Sequence, residues 1–111
     1  MHIATYIEVN RSLIPALRNF VKALYTKKKE FSSIIKIGRT HCQDAVPITL
    51  GQEFSGYETQ IMHGMRRISD KTKYINKLAQ GGTAVGTGLN TFKGFAEQVA
   101  EEISKQSGLV F

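Results

Sequence analysis

The segment Gly38-Arg39-Thr40-His41-Cys42-Gln43-Asp44-Ala45 gathers an alcohol, an imidazole, a thiol, an amide and a carboxylate at consecutive positions. Imidazole is the side chain best suited to moving protons near neutral pH, because its unperturbed pKa is about 6.5. His41 is therefore a candidate proton-transfer group, with the Thr40 hydroxyl beside it. A histidine next to threonine in a short connection equally fits a hydrogen-bonded surface residue, and the residue types alone leave both readings open. A Cys42–His41 nucleophile pair is disfavoured, since adjacent side chains seldom face one another productively. His2, His41 and His63 stand far apart, and no second His or Cys sits at ligand spacing, so a metal site is not expected. His63 lies in a helical stretch and reads as a packing or solvated residue.

A second segment, Gly81-Gly82-Thr83-Ala84-Val85-Gly86-Thr87-Gly88-Leu89-Asn90, has the look of a phosphate cradle. Gly81 and Gly86 have P-loop spacing, but Thr87 stands where the lysine is required, and a helix rather than a strand precedes the loop. The dinucleotide fingerprint fails too, because Thr91 replaces its third glycine. Two readings survive: backbone N–H groups favouring an anion at a helix start, or a close-packed corner that needs positive φ at several glycines.

The elements that must position these segments are helical. From Ile3 to about Tyr25, apolar residues recur at Ile3, Ile7, Leu13/Ile14, Leu17, Phe20/Val21 and Leu24, an amphipathic helix that Pro15 should break or kink near Ile14. No capping residue precedes it, which predicts a chain cut from something longer. Thr49 and Gln52 form a capping box for a second helix, predicted over Leu50–Gln80 and stopped by Gly81 and Gly82. At about 1.5 Å per residue that helix would be roughly 45 Å long. Such a length calls for neighbours of matching length from other chains or further sequence. A third helix is predicted from Asn90 or Thr91, with a Phe92, Phe95/Ala96, Val99, Ile103 stripe, a Glu101–Lys105 pair and a stop at Gly108. The expected fold is all-α, with three helices and two loops, Lys36–Ile48 and Gly81–Asn90.

The 111 residues carry 15 Lys+Arg against 9 Asp+Glu, a net charge of +6, with 41% hydrophobic and 22% charged residues. That length allows a single domain with its own core, and the composition argues against disorder. One cysteine excludes an internal disulfide, and no apolar run is long enough for a membrane helix. The N-terminal residues lack signal-peptide character. Lys27, Lys28 and Lys29 follow the first apolar stripe and read as a solvated helix end rather than a nucleic-acid surface. A soluble protein of a reducing compartment is expected, without nucleic-acid or membrane partners.

Taken together, Lys36-Ile37-Gly38-Arg39-Thr40-His41-Cys42-Gln43-Asp44-Ala45-Val46-Pro47, then Thr49-Leu50-Gly51-Gln52-Glu53, then Gly81 through Asn90, resemble two signature regions of the fumarase/aspartase superfamily, in order and at its spacing. Met1-His2-Ile3-Ala4 resembles the start of the helix that follows the family's Ser-Ser-Asn-Asp segment. Within the superfamily the chain is most similar to the class II, iron-independent fumarate hydratases. Aspartate ammonia-lyases share both regions but typically carry Gln at the position of His41. The resemblance implies long antiparallel helices of a central helical bundle, with residues 1–111 forming part of that domain, truncated at both ends, in a homotetramer. It also implies reversible hydration of fumarate to (S)-malate with no metal or organic cofactor, in the cytoplasm or, for a eukaryote, the mitochondrial matrix.

By the same resemblance Thr40 binds a substrate carboxylate, and His41 is the proton donor and acceptor, oriented by a glutamate of another subunit. Cys42 departs from the Leu, Gln or Met usual there. The family's Ser-Ser-Asn segment and its Gly-Ser-Ser-x-Met-Pro-x-Lys-x-Asn loop have no counterpart in this sequence. Because the family's sites draw on three chains, this polypeptide is expected to supply one share of a site and to be inactive alone. Two alternatives stand beside this reading: another superfamily lyase such as an aspartate ammonia-lyase, and a non-catalytic helical oligomerisation module.

Overall fold

A computed structural model describes residues 1–111. Helix α1 (His2–Glu8) passes through a π-helical turn, Val9–Leu13, into helix α2 (Ile14–Glu30). Strands β1 (Ile35–Thr40) and β2 (Gln43–Thr49) follow, then the long helix α3 (Leu50–Ile75) and helix α4 (Phe95–Ser107). The chain is mostly helical but not purely all-α, because the predicted Lys36–Ile48 loop is an antiparallel two-stranded sheet. Ile35 and Ile37 face Thr49 and Pro47 in its register, and Lys36 faces Ile48. Ile35, Ile37, Ile48 and Thr49 are β-branched and favour extended backbone. In a two-stranded sheet both strands are edges, so Pro47 is tolerated without an N–H.

The residues group into two compact units, Leu13–Ile68 and Met1–Ser12 with Ser69–Phe111. The break expected near Ile14 takes the form of the π-helical turn, which ends at Leu13. Pro15 sits in the first turn of α2, where no N–H partner is needed, and the wider winding ahead of it relieves the ring's clash with a preceding carbonyl. Helix α2 continues past Tyr25, so Lys27, Lys28 and Lys29 occupy its last turn and offset the helix dipole there. They are not all solvated. The Lys28 ammonium lies 2.9 Å from a Glu58 carboxylate oxygen on α3, and that side chain is only 12% exposed. The Phe31 ring meets Phe54 edge-on at 5.2 Å.

Contrary to the expectation of a self-sufficient core, Ile14 and Leu24 are the only buried hydrophobic residues. In α3 only Gly51 and Glu58 are buried, so no member of its apolar stripe is fully covered. This fits the expectation that the long helix needs neighbours.

In the second unit α3 ends at Ile75 rather than Gln80. Asn76 donates its side-chain N–H to the Val110 carbonyl at 3.3 Å, and the chain turns so that Leu78 joins Ile3, Val99 and Ile103 around a cleft of about 410 Å3. These tertiary contacts override the helical periodicity. The Tyr6 and Phe111 rings meet edge-on at 5.1 Å, and the Arg11 guanidinium donates to the Ser107 carbonyl. Helix α4 begins at Phe95, not Asn90 or Thr91. Thr91 donates its hydroxyl back to the Gly88 carbonyl at 2.7 Å, Asn90 is left-handed at φ 68°, and Gly94 makes the entry at φ 88°. Phe92 therefore falls outside the helix and is 58% exposed. The predicted Glu101–Lys105 pair forms at 3.2 Å, and Gly108 ends the helix at φ 67° with its N–H on the Ser104 carbonyl.

Candidate functional site

Thr40 is the last residue of β1 and pairs with Gln43, the first of β2, leaving His41 and Cys42 as a two-residue connection. Both have positive φ, 50° and 61°, the signature of a type I′ hairpin turn. Asn-Gly is the usual solution at such positions. Holding a residue with a Cβ in the left-handed region costs about 1–2 kcal/mol, so the tip keeps two side chains against a local penalty. Thr40, His41 and Cys42 are exposed, and neither the Thr40 hydroxyl nor the His41 imidazole is engaged by another side chain of this chain. The two predicted site residues thus stand together at the tip, with their polar groups available. Cys42 is a free, exposed thiol.

Below the tip, the Arg39 guanidinium donates to an Asp44 oxygen at 3.0 Å, an exposed cross-strand pair of small energetic weight. The register slips between Ile37 and Arg39, and Gly38 occupies the irregularity. A Cβ there would stand 2.8 Å from the Val46 carbonyl oxygen. The bulge needs a glycine because the strands approach so closely, and it sharpens the local twist that carries the tip.

The root of the hairpin is tied to α3. The expected capping box forms: the Thr49 N–H donates to Gln52 Oε1 at 2.8 Å, and the Gln52 N–H to Thr49 Oγ1 at 3.1 Å. The Leu50 N–H donates to the Ile34 carbonyl at 2.8 Å, and the Gly51 N–H to the Phe31 carbonyl at 3.0 Å. Sequence reasoning missed a further tie. Lys36 Nζ donates to Glu53 Oε2 at 2.6 Å, while the Tyr57 hydroxyl donates to Glu53 Oε1 at 2.8 Å. The bond from Lys36, then that from Tyr57, holds the Glu53 carboxyl below its ordinary value; the Glu53 bond pushes the Tyr57 hydroxyl above its own. Glu53 and Tyr57 at i,i+4 were visible as a helical pair, but Lys36 enters only through the hairpin.

The glycine segment behaves as a corner. Gly81, Gly86 and Gly88 have φ of 99°, 88° and 71°, and Thr83 and Asn90 are also left-handed. The N–H groups of Gly86 and Gly88 both donate to the Gly82 carbonyl, at 2.9 and 3.1 Å, and that of Gly82 to Ala79. Those donors are occupied within the loop, and α4 starts only at Phe95, so the close-packed reading prevails over the anion cradle. A Cβ on Gly81 would come within 2.4 Å of the Ala96 Cβ, which is how tightly the corner seats α4. Beside it lies an open groove of about 810 Å3. No three His, Cys, Asp or Glu side chains converge as metal ligands, and no helix is long and apolar enough to cross a membrane.

Thr40 and His41 are thus neighbouring exposed residues at the tip of a tight turn. Residues 1–110 match the protein family described as Lyase, and the chain belongs to that family. It is 57% identical over all 111 residues to the mitochondrial fumarate hydratase of Saccharomyces cerevisiae and 59% to that of Homo sapiens, spanning 23% and 22% of those proteins. A class II fumarate hydratase of Rickettsia bellii is 58% identical over 105 residues, 95% of this chain and 23% of that protein. Among solved structures, the class II fumarase of Schistosoma mansoni superposes with a TM-score of 0.93 at 42% identity, over 97% of this chain and 22% of that one. The chain thus spans less than a quarter of the length of these relatives.

Proposed function

We propose that this chain supplies the Thr40–His41 share of the active site of a fumarate hydratase, the enzyme that reversibly adds water to fumarate to give (S)-malate. The observation that carries the reading is the hairpin tip, which displays imidazole and hydroxyl together, in a chain 57–59% identical along its whole length to named fumarate hydratases. In the dehydration direction, loss of a proton beside a carboxylate builds negative charge on that carboxylate, which hydrogen-bond donors must stabilise. The Thr40 hydroxyl donates to a substrate carboxylate. The His41 imidazole, acting through a water, gives the proton with which the C2 hydroxyl leaves as water and takes it back in hydration, while the C3 proton goes to a base supplied by another segment of the enzyme. The long helix α3, with no member of its apolar stripe fully buried in this chain, suits a central helical domain, of which residues 1–111 form part, in a homotetramer. The reaction needs no metal or organic cofactor. The relatives named mitochondrial support a mitochondrial location for a eukaryotic source; for a bacterial source the proposal places the enzyme in the cytoplasm.

The test is a chimera in which these 111 residues replace the equivalent segment of the yeast enzyme. It converts fumarate to malate, whereas the 111-residue chain alone does not. His41→Asn in the chimera lowers kcat by about 10²–10⁴-fold, the usual worth of a general acid–base group. A folded chimera that keeps near-normal turnover after that change overturns the assignment. Turnover of aspartate in preference to malate would instead favour an ammonia-lyase.

A further inference from the structure

We propose that Lys36, Glu53 and Tyr57 form a tether that sets the angle of the hairpin on α3 and so positions His41 over its substrate; the inference rests on the role given to His41 above. The strands are not held by apolar packing of their own, since Ile35 is 77% and Val46 69% exposed. Orientation is therefore decided at the root, where backbone bonds from Leu50 and Gly51 fix the hinge and Lys36 is the β1 side chain bonded to α3. The ammonium meets one carboxylate oxygen at 2.6 Å and the phenol meets the other at 2.8 Å, so the Glu53 carboxylate is braced from the strand side and from its own helix. Both bonds are charge-assisted, and solvent screens them in part, since the Lys36 and Glu53 side chains are 37% and 28% exposed. The depressed Glu53 carboxyl agrees with this bracing.

Thr40 lies four residues beyond Lys36, a reach of about 13 Å at roughly 3.3 Å per strand residue. A swing of roughly 5° about the root thus moves the tip by about 1 Å, and a misplacement of that size can lower a rate by about a hundredfold. Lys36, Glu53 and Tyr57 are positioning residues, because none of them reaches the tip.

The chimera described above tests this. Lys36→Met and Glu53→Gln each lower kcat at least about tenfold, Tyr57→Phe lowers it about threefold, and Lys36→Arg, which retains the ion pair, stays within about threefold of the parent. The deciding readout is the same changes made together with His41→Asn. His41→Asn removes the imidazole's share of the misplacement and leaves only that of Thr40, so the tether changes lower the remaining rate by clearly less than they lower the parent's. Equal losses in both backgrounds, or unchanged kcat for Lys36→Met and Glu53→Gln in a chimera that His41→Asn inactivates, overturn the tether alone. A chimera indifferent to His41→Asn overturns the underlying reading instead.

Discussion

Adding one methyl group to Gly51 would bring a Cβ to 2.6 Å from the Lys28 carbonyl oxygen, 2.9 Å from Ser32 Cα and 3.0 Å from Ser32 N. All three neighbours are backbone atoms, so no side-chain rotation relieves the overlap. Against an ordinary carbon contact of about 3.5 Å the shortfall is about 0.9 Å at the carbonyl. Seating the methyl group therefore requires α3 to back away from the end of α2 by nearly that distance. The shift strains the Gly51 to Phe31 and Leu50 to Ile34 hydrogen bonds, now 3.0 and 2.8 Å. Overpacking costs about 1–3 kcal/mol, and weakening two hydrogen bonds adds about 1–2. Alanine's better helix propensity returns up to about 1 kcal/mol. The net loss is about 2–3 kcal/mol, a factor of about 30–150 in the folded ratio. Two internal controls share the helix. A Cβ on Gly56 meets nothing within 4 Å, and one on Gly64 meets only an Arg67 side-chain nitrogen at 3.9 Å. Those two substitutions to alanine should stabilise by about 0.5–1 kcal/mol. Urea titration of the chimera described above, followed by circular dichroism, reads all three. If Gly51→Ala is as stable as Gly64→Ala, the close approach at the root of the hairpin is wrong.

Cys42→Gly removes a left-handed penalty and should slow amide exchange in β1 and β2 by a factor of a few, whereas Cys42→Val should speed it. Gly81→Ala combines a φ of 99° with a 2.4 Å approach to Ala96 and should cost at least about 3 kcal/mol, read as loss of α4 helicity. Glu58→Ala leaves the Lys28 ammonium without its partner; as Lys28 is partly exposed, the loss should be about 1–2 kcal/mol in urea unfolding. The Glu53 carboxyl titrates lower in the folded chain, so its stabilisation is complete above the ordinary carboxylate range and is lost as pH falls through the lowered folded value. The Tyr57 hydroxyl is raised, so its share is complete below the ordinary phenol range and is lost as pH rises through the raised folded value. Carbon-13 titration of Glu53 should move back toward the ordinary carboxylate value in Lys36→Met, and an unmoved curve would contradict the tie.

Local chemistry was the most legible part of the sequence. The Thr49–Gln52 box, the Glu101–Lys105 pair and the Gly108 stop each depend on residues within four positions, and each forms as read. The hairpin was hidden for three physical reasons. Its turn carries His-Cys rather than Asn-Gly, Pro47 argues against a strand, and Gly38 interrupts the alternation at a bulge. The end of α3 and the start of α4 were displaced by contacts that no periodicity encodes: Asn76 with Val110, and Thr91 with Gly88. Thr40 and His41 could be singled out as candidates because they are neighbours in the chain. The Lys36–Glu53 bond joins residues 17 apart and exists only once the strands fold back, so composition and spacing could not reveal it.

The backbone at His41 and Cys42 has the handedness that mirror-image amino acids prefer. A chain of this length is within reach of chemical ligation, and D-cysteine at position 42 should ease the turn while leaving its thiol on a residue that the strands already accommodate. Chirality becomes a dial for the stiffness with which the imidazole is presented, one that among the encoded residues only glycine and, less freely, asparagine and aspartate can approach.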